Sequence, residues 1–221
     1  MGTLRRCVPV VVALLAWQAH AQIPPASASA VSAGNMTLVS KIAGRLAQPK
    51  GVRARFTQTQ TLAAMKAPLV STGAMLFLRE RGVIWRVDSP YKATWVMSDA
   101  GITRIGGSRA AEKGMQGGMQ GARGAAEISK MMRAMLQGDL SALYSQFDVE
   151  ARGTPARWQM RLTPNQPQLA QSVHDLQMSG GTYLQRLRIE LANGDATQID
   201  FDGSTPVTDP TAADQALFGT P

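Results

Sequence analysis

The sequence predicts a mainly β (α+β) fold, one curved antiparallel sheet of about nine or ten strands with two or three helices on one side. Three observations carry that expectation. Apolar and polar residues alternate through most of the chain beyond residue 51, helical spacing is confined to stretches near residues 40 and 130, and glycine-bearing turns separate the alternating runs.

The chain begins with Arg5 and Arg6, an apolar run from Val8 to Trp17, and Ala19-His20-Ala21. That order reads as a cleaved secretory signal over residues 1–21, with a mature chain from Gln22 in the periplasm. The run is too short to cross a bilayer. Cys7, the single cysteine, falls inside the signal and not at a lipidation position, so the mature chain can form neither a disulfide nor a thiolate metal site. Removing Arg5 and Arg6 takes 23 basic residues to 21 against 15 acidic ones, a mature charge of +6. The basic residues are scattered without stacking aromatics. This argues against a nucleic-acid partner and suits anionic membrane surfaces or acidic proteins.

Residues 22–34, QIPPASASAVSAG, read as a disordered leader. Asn35 is a good N-cap. Leu38, Val39, Ile42 and Leu46 then recur at helical spacing until Pro49 and Gly51, with Lys41 and Arg45 on the other side. VRARFTQTQT (52–61) alternates as a strand. GAMLFLRERGVIWRVDSPY (73–91) reads as a hairpin turning at Glu80 to Gly82, and KATWVMSD pairs with GITRI across Asp99 to Gly101. Residues 106–124 are glycine-rich and carry GMQG twice. Ile128, Met131, Met132, Met135 and Leu136 follow at helical spacing, and a shorter helix follows Asp139. FDVEAR, RWQMRLTP, SVHDLQMS, TYLQRLRIELA and TQIDFDG complete the strands, with turn signals at Gly180-Gly181 and Asn193-Gly194. The domain is expected over 35–205, with an irregular tail at 206–221.

The hairpin at 73–91 has two different faces. Met75, Phe77, Val83, Trp85 and Val87 form one apolar face, whereas the other passes from Leu76 and Leu78 to Arg86 and Asp88. The first is expected to be concave and to face the helices. Trp95, Met97, Phe147, Val149, Trp158, Met160, Leu162, Leu187, Ile189, Ile199 and Phe201 repeat its rhythm. Such a face is either an ordinary packed core or the lining of a cavity; few aromatics, many methionines and short helices favour the cavity. Met115, Met119 and the helix methionines suit an adaptable lid, and a solvated linker is the plainer alternative. Leu76 and Leu78 require cover from the leader or the tail. Arg79 falls by parity at the rim of the concave face, where it is either hydrogen-bonded or extended to water.

Catalytic readings are weaker. His174 stands beside Asp175 in a strand-like segment without any G-x-S-x-G elbow, so a hydrolase, which would be inactivated by His174→Ala, is a third reading only. Ser89 to Lys92 spells S-x-x-K, but Pro90 places it in a turn. One mature histidine without cysteine makes a zinc site improbable, and the glycine-rich stretch lacks a phosphate-loop ending. No cofactor or metal is expected.

ARFTQTQ, then Gly73, Arg79, Trp85, Pro90 and VMSD at these spacings, resembles the amino-terminal half of the LolA family of periplasmic lipoprotein carriers. WQMRLTP resembles a later strand, so the likeness covers roughly residues 36–202. The resemblance implies an incomplete barrel of about eleven strands closed by helices, whose cavity holds the acyl chains of a lipidated cargo. It also implies an inner-membrane donor complex and an outer-membrane acceptor for a monomeric shuttle. In that family an arginine matching Arg79 ties the helical lid to the barrel. Met75, Phe77, Val83, Trp85, Val87, Trp95, Met97, Met131, Met135, Trp158 and Met160 are the expected lining. The chain departs from the family in its Gly-Met loop and in ending soon after Phe201 without a clear final strand and helix. The cargo is therefore left open between lipoprotein, glycolipid and other lipid. A periplasmic sensor of lipid or lipoprotein with the same fold is the alternative to a carrier.

Overall fold

A computed structural model describes residues 26–98, 101–107 and 140–218. Helix α1 (Ala26–Leu46) is followed by strands β1 (Gly51–Thr61), β2 (Leu69–Leu78), β3 (Gly82–Ser89), β4 (Ala93–Ser98) and β5 (Gly101–Gly107). Then come α2 (Leu140–Tyr144), β6 (Phe147–Thr154), β7 (Arg157–Pro164), α3 (Pro167–Ala170), β8 (Val173–Gly180), β9 (Leu184–Leu191), β10 (Ala196–Pro206) and α4 (Ala212–Leu217). All ten strands form one antiparallel sheet in the order β5-β4-β3-β2-β1-β10-β9-β8-β7-β6. β5 and β6, consecutive strands, lie at opposite edges, so the sheet is an unclosed barrel.

Helix α1 buries Val39, Ile42, Ala43 and Leu46 and exposes Lys41, as the apolar spacing requires. Asn35 does not cap it. The helix begins at Ala26, within the stretch expected to be a leader, because the Ala- and Ser-rich residues 26–34 carry no proline after Pro25. The Asn35 amide instead meets edge strand β6: Nδ2 donates to the Val149 carbonyl at 2.6 Å, and Oδ1 accepts from the Ala151 N–H at 2.5 Å. A side-chain amide thus takes the place of a neighbouring strand and covers part of a sheet edge. Farther along the helix, Arg45 Nη1 donates to the Pro155 carbonyl at 2.9 Å, beside the β6–β7 turn.

The turns follow the local chemistry. At Asn193-Gly194, Gly194 has φ +86°, a left-handed conformation that a side chain would strain. The carboxyl end differs from expectation: β10 continues to Pro206, and α4 follows where an irregular tail and no final helix were expected. Thr211 Oγ1 accepts from the Asp214 N–H at 3.1 Å while the Asp214 carboxylate accepts from the Thr211 N–H at 3.2 Å, a reciprocal cap. Arg53 Nη2 donates to Asp214 Oδ2 at 2.7 Å and fixes the helix against β1.

Two apolar clusters result, one on each face of the sheet. The larger joins α1 to the concave face from β4 around to β6, and α2 and α3 close over its β6–β8 side. On the convex side Leu76, Leu78, Ile84 and Val96 are covered by Val207, Leu217 and Phe218. The tail thus supplies the cover that the second face of β2 requires.

Candidate functional site

Strand register sorts the concave face into rows. One row runs Val52, Phe77, Val83, Met97 and Ile102 across β1 to β5; the next runs Ala54, Met75, Trp85, Trp95 and Arg104. A third passes from Phe201 through Phe56 and Gly73 to Val87 and Ala93. Gly73 is required here by space. A Cβ on it would lie 1.9 Å from the Arg86 carbonyl oxygen and 2.9 Å from the Phe56 ring. With that position empty, Phe56 leans onto Trp85, ring centroids 3.9 Å apart and 23° between planes, and Phe201 meets the same indole edge-on at 6.2 Å.

Met75, Trp85, Val87, Trp95, Met97, Trp158 and Met160 all belong to the α1-facing cluster. Phe77, buried, and Val83, half-buried, oppose each other in the first row. Met131 and Met135 lie outside the described residues, as do Met115, Met119 and the rest of 108–139.

The cover over this face is uneven. On β6–β8, Trp158, Leu162, Leu176 and Met178 are at most 2% exposed, and the Trp158 indole N–H donates to the Gly181 carbonyl at 2.9 Å. Helices α1, α2 and α3 pack against these strands. On β2–β4, Met75, Val87 and Met97 stay only half-buried. Among the described residues, the wall formed by Met75, Val87 and Met97 is thereby left partly open beside the buried Trp85 and Trp95.

Two polar groups stand at this interior. Tyr144, on α2 beside Leu143, packs against the cluster; its hydroxyl is buried with no hydrogen-bond partner among the described residues, and burial raises its pKa. Sequence reading passed over it. Its one signal is a tyrosine next to a core leucine on a short helix, and a buried tyrosine needs a partner for its hydroxyl. Arg79 lies in the β2–β3 turn, where its N–H donates to the Lys50 carbonyl at 2.9 Å and Nη2 donates to the Pro49 carbonyl at 3.1 Å. It ties that turn to the α1–β1 connection.

The convex face of β7–β9 carries charge. His174, Asp175 and Glu190 bring donor atoms within 4.8 Å of one another, the arrangement a cation requires. These groups are otherwise engaged: Asp175, 1% exposed, accepts from Arg161 and Gln177, and Glu190 lies 3.7 Å from Arg188. His174 is exposed, with Nδ1 3.5 Å from Asp175. The trio forms part of a network of charged and hydrogen-bonded side chains. Ser89 ends β3 ahead of a cis Pro90, so S-x-x-K occupies a turn. No helix among the described residues is long and apolar enough to cross a membrane.

Among solved structures, MucB aligns at 12% identity and TM-score 0.48, over 82% of this chain and 62% of that one. The chain therefore spans less than two thirds of MucB's length. A LolA superfamily protein from Nitrosomonas europaea aligns at 9% identity and TM-score 0.38, over 80% and 94%. A putative outer membrane lipoprotein-sorting protein domain from Vibrio parahaemolyticus aligns at 9% and 0.37, over 83% and 97%. No curated protein matches in sequence. The family profile described as outer membrane lipoprotein carrier protein LolA-like matches residues 26–215, nearly the whole of the described chain. The chain belongs to this LolA-like outer membrane lipoprotein carrier family.

Proposed function

We propose that the protein is a periplasmic carrier. Its concave face takes the acyl chains of a lipoprotein or other lipid and moves them from an inner-membrane donor to an outer-membrane acceptor. The observation that carries this reading is the half-buried apolar wall of Met75, Val87 and Met97 beside Trp85 and Trp95, continuous with a core that helices cover elsewhere. Phe77 and Val83 extend the proposed lining and Met131 and Met135 are expected to join it, whereas Trp158 and Met160, expected in it as well, sit at its sealed end beneath the helices. The Tyr144 hydroxyl offers a polar contact to an ester or amide carbonyl where the acyl chain joins its headgroup.

The energetics suit transfer without chemistry. Each buried methylene contributes ~0.8 kcal/mol, so a long chain would be held too firmly for release unless rearrangement of the protein offsets part of that gain. Arg79 is the proposed latch, because its hydrogen bonds join the β2–β3 turn to the end of α1's connection. Arg79→Leu should still load lipid and fail to pass it on; normal transfer to acceptor vesicles would remove the latch role.

The carrier reading itself is tested by native mass spectrometry of protein purified from the periplasm, with displacement of a fluorescent fatty acid from the purified chain. Co-purified lipid and saturable displacement are expected. A lipid-free protein that binds no fatty acid would leave the concave face as an ordinary core.

A further inference from the structure

Exposed large apolar side chains on this molecule are not scattered. Of the seven among the described residues, Met65, Leu69, Val70, Tyr91 and Ile105 lie at one end of the β1–β5 half of the sheet. Register places them together: Val70 pairs with Thr59 near the β1–β2 connection, Thr72 pairs with Ser89 just before the turn that carries Tyr91, and Ile105 pairs with Thr94 just after it. Val70 is 52% and Tyr91 53% exposed. Single exposed apolar residues need no explanation; a group sharing one rim marks an interaction surface.

The rim also carries lysines. The β1–β2 connection carries Lys66 and the β3–β4 turn carries Lys92, both exposed, and neither forms an ion pair with a described residue. Of the nearby acids, Asp88 lies 3.3 Å from Arg86, whereas Asp195 accepts only from neutral donors, the Ala63 N–H at 2.8 Å and Asn193 at 2.9 Å. Apolar side chains flanked by lysines on short connections match the boundary of an anionic bilayer. Rings and aliphatic groups enter the interface while ammonium groups meet lipid phosphates. Protein interfaces are depleted in lysine, so the lysines flanking these side chains favour a lipid surface over a protein partner.

We infer that this rim docks the protein on anionic lipid surfaces, with Val70 and Tyr91 as the inserting residues and Lys66 and Lys92 as the electrostatic contacts. Docking is a property of the outer rim, separate from whether the concave face takes acyl chains. The rim adjoins the open half of that face, since Leu69 shares the concave side with Gln60.

The test is co-sedimentation of the full chain with vesicles of equal parts phosphatidylglycerol and phosphatidylcholine, against phosphatidylcholine alone. The wild type should bind the mixed vesicles more tightly, and added salt should weaken that preference. Lys66→Glu with Lys92→Glu should lower binding to mixed vesicles by about fivefold per lysine. Val70→Ser with Tyr91→Ser should lower it about tenfold on both vesicle types. All four positions are exposed, so thermal melts of the variants should overlay the wild type. Fatty-acid displacement should also be unchanged, which separates failure of docking from failure of the carrier reading. Wild type that ignores anionic vesicles, or variants that bind them as well as wild type, would overturn the proposal.

Discussion

The two halves of the sheet carry the same kind of inward side chain and treat it differently. On β6–β8 the row containing Met160 and Met178 is sealed beneath helices, and Trp158, Leu162 and Leu176 are at most 1% exposed. On β2–β5, Met75, Val87 and Met97 stay half-buried, and Ile102, which ends the row of Met97, is 48% exposed. Apolar area removed from water stabilises at roughly 25 cal/mol per Å², so the first half should hold the fold together and the second should have surface to spend on a ligand. Methionine in a sealed position fills a gap, whereas methionine in an open one can adapt to a guest.

The sharpest way to break this comparison is to cut one large residue from each half. Trp158→Ala removes a buried ring and leaves the Gly181 carbonyl without its donor, and should cost about 3–5 kcal/mol in urea unfolding. Met97→Ala should cost less than about 2 kcal/mol, because the side chain is only half-buried, and should weaken fatty-acid binding more than it weakens the fold. Equal losses of stability from the two substitutions would mean that both halves are core.

Asn35 tests how the sealed half is closed at its edge. Asn35→Ala deletes two hydrogen bonds to β6 and should cost about 2 kcal/mol, with faster amide exchange at Ala151. This interaction also shows where sequence reading fails. Asparagine before an apolar helical run is the ordinary sign of a cap, and the local rule was sound; its true partners lie more than a hundred residues away and nothing local marks them.

Alternation, by contrast, was readable. Period two places every second side chain on one face, so Met75 and Trp85 could be separated from Leu76 and Leu78 in the sequence itself, and the clusters divide in that way. The need of Leu76 and Leu78 for cover was legible, with leader and tail both named as sources. The choice between them was not, because α4 spans only Ala212–Leu217 and shows no helical period over so short a run. Thr211 and Asp214 in the Thr-x-x-Asp spacing were its available signal. Tyr144 was missed for a related reason, since a hydroxyl's missing partner is a property of packing.

The convex patch allows a smaller test of the same contrast between sealed and open surface. Leu217→Ser with Phe218→Ser should uncover Leu76, Leu78, Ile84 and Val96, raise binding of a hydrophobic dye, and cost about 1 kcal/mol, since both replaced side chains are already half-exposed. Fatty-acid binding should not change, because the concave face is on the other side of the sheet. A loss of binding would mean that the convex cover and the concave wall respond as one unit.

The smallest expected effect is the dependence of that cover on pH. Burial pushes the Asp214 carboxyl up, but the hydrogen bonds from Thr211 and Arg53 outweigh it and hold the group below the ordinary carboxylate value of about 3.9. A depressed carboxylate stabilises the fold above the unfolded-state value and loses that contribution as pH falls through the folded-state one. Amide protection of α4 should therefore be constant near neutrality and decline below about pH 4. Asp200, depressed by Gln198 and Arg186 against a similar burial penalty, adds an acid-sensitive contribution on β10, so the global melt alone cannot separate the two. Asp214→Asn separates them: protection of α4 should already be low at neutral pH and should not fall further with acid, while the β10 amides keep their acid response. If α4 in that variant stays as protected as in the wild type, the patch is held by its apolar contacts, and the Arg53–Asp214 pair is a surface ion pair with no part in sealing the convex face.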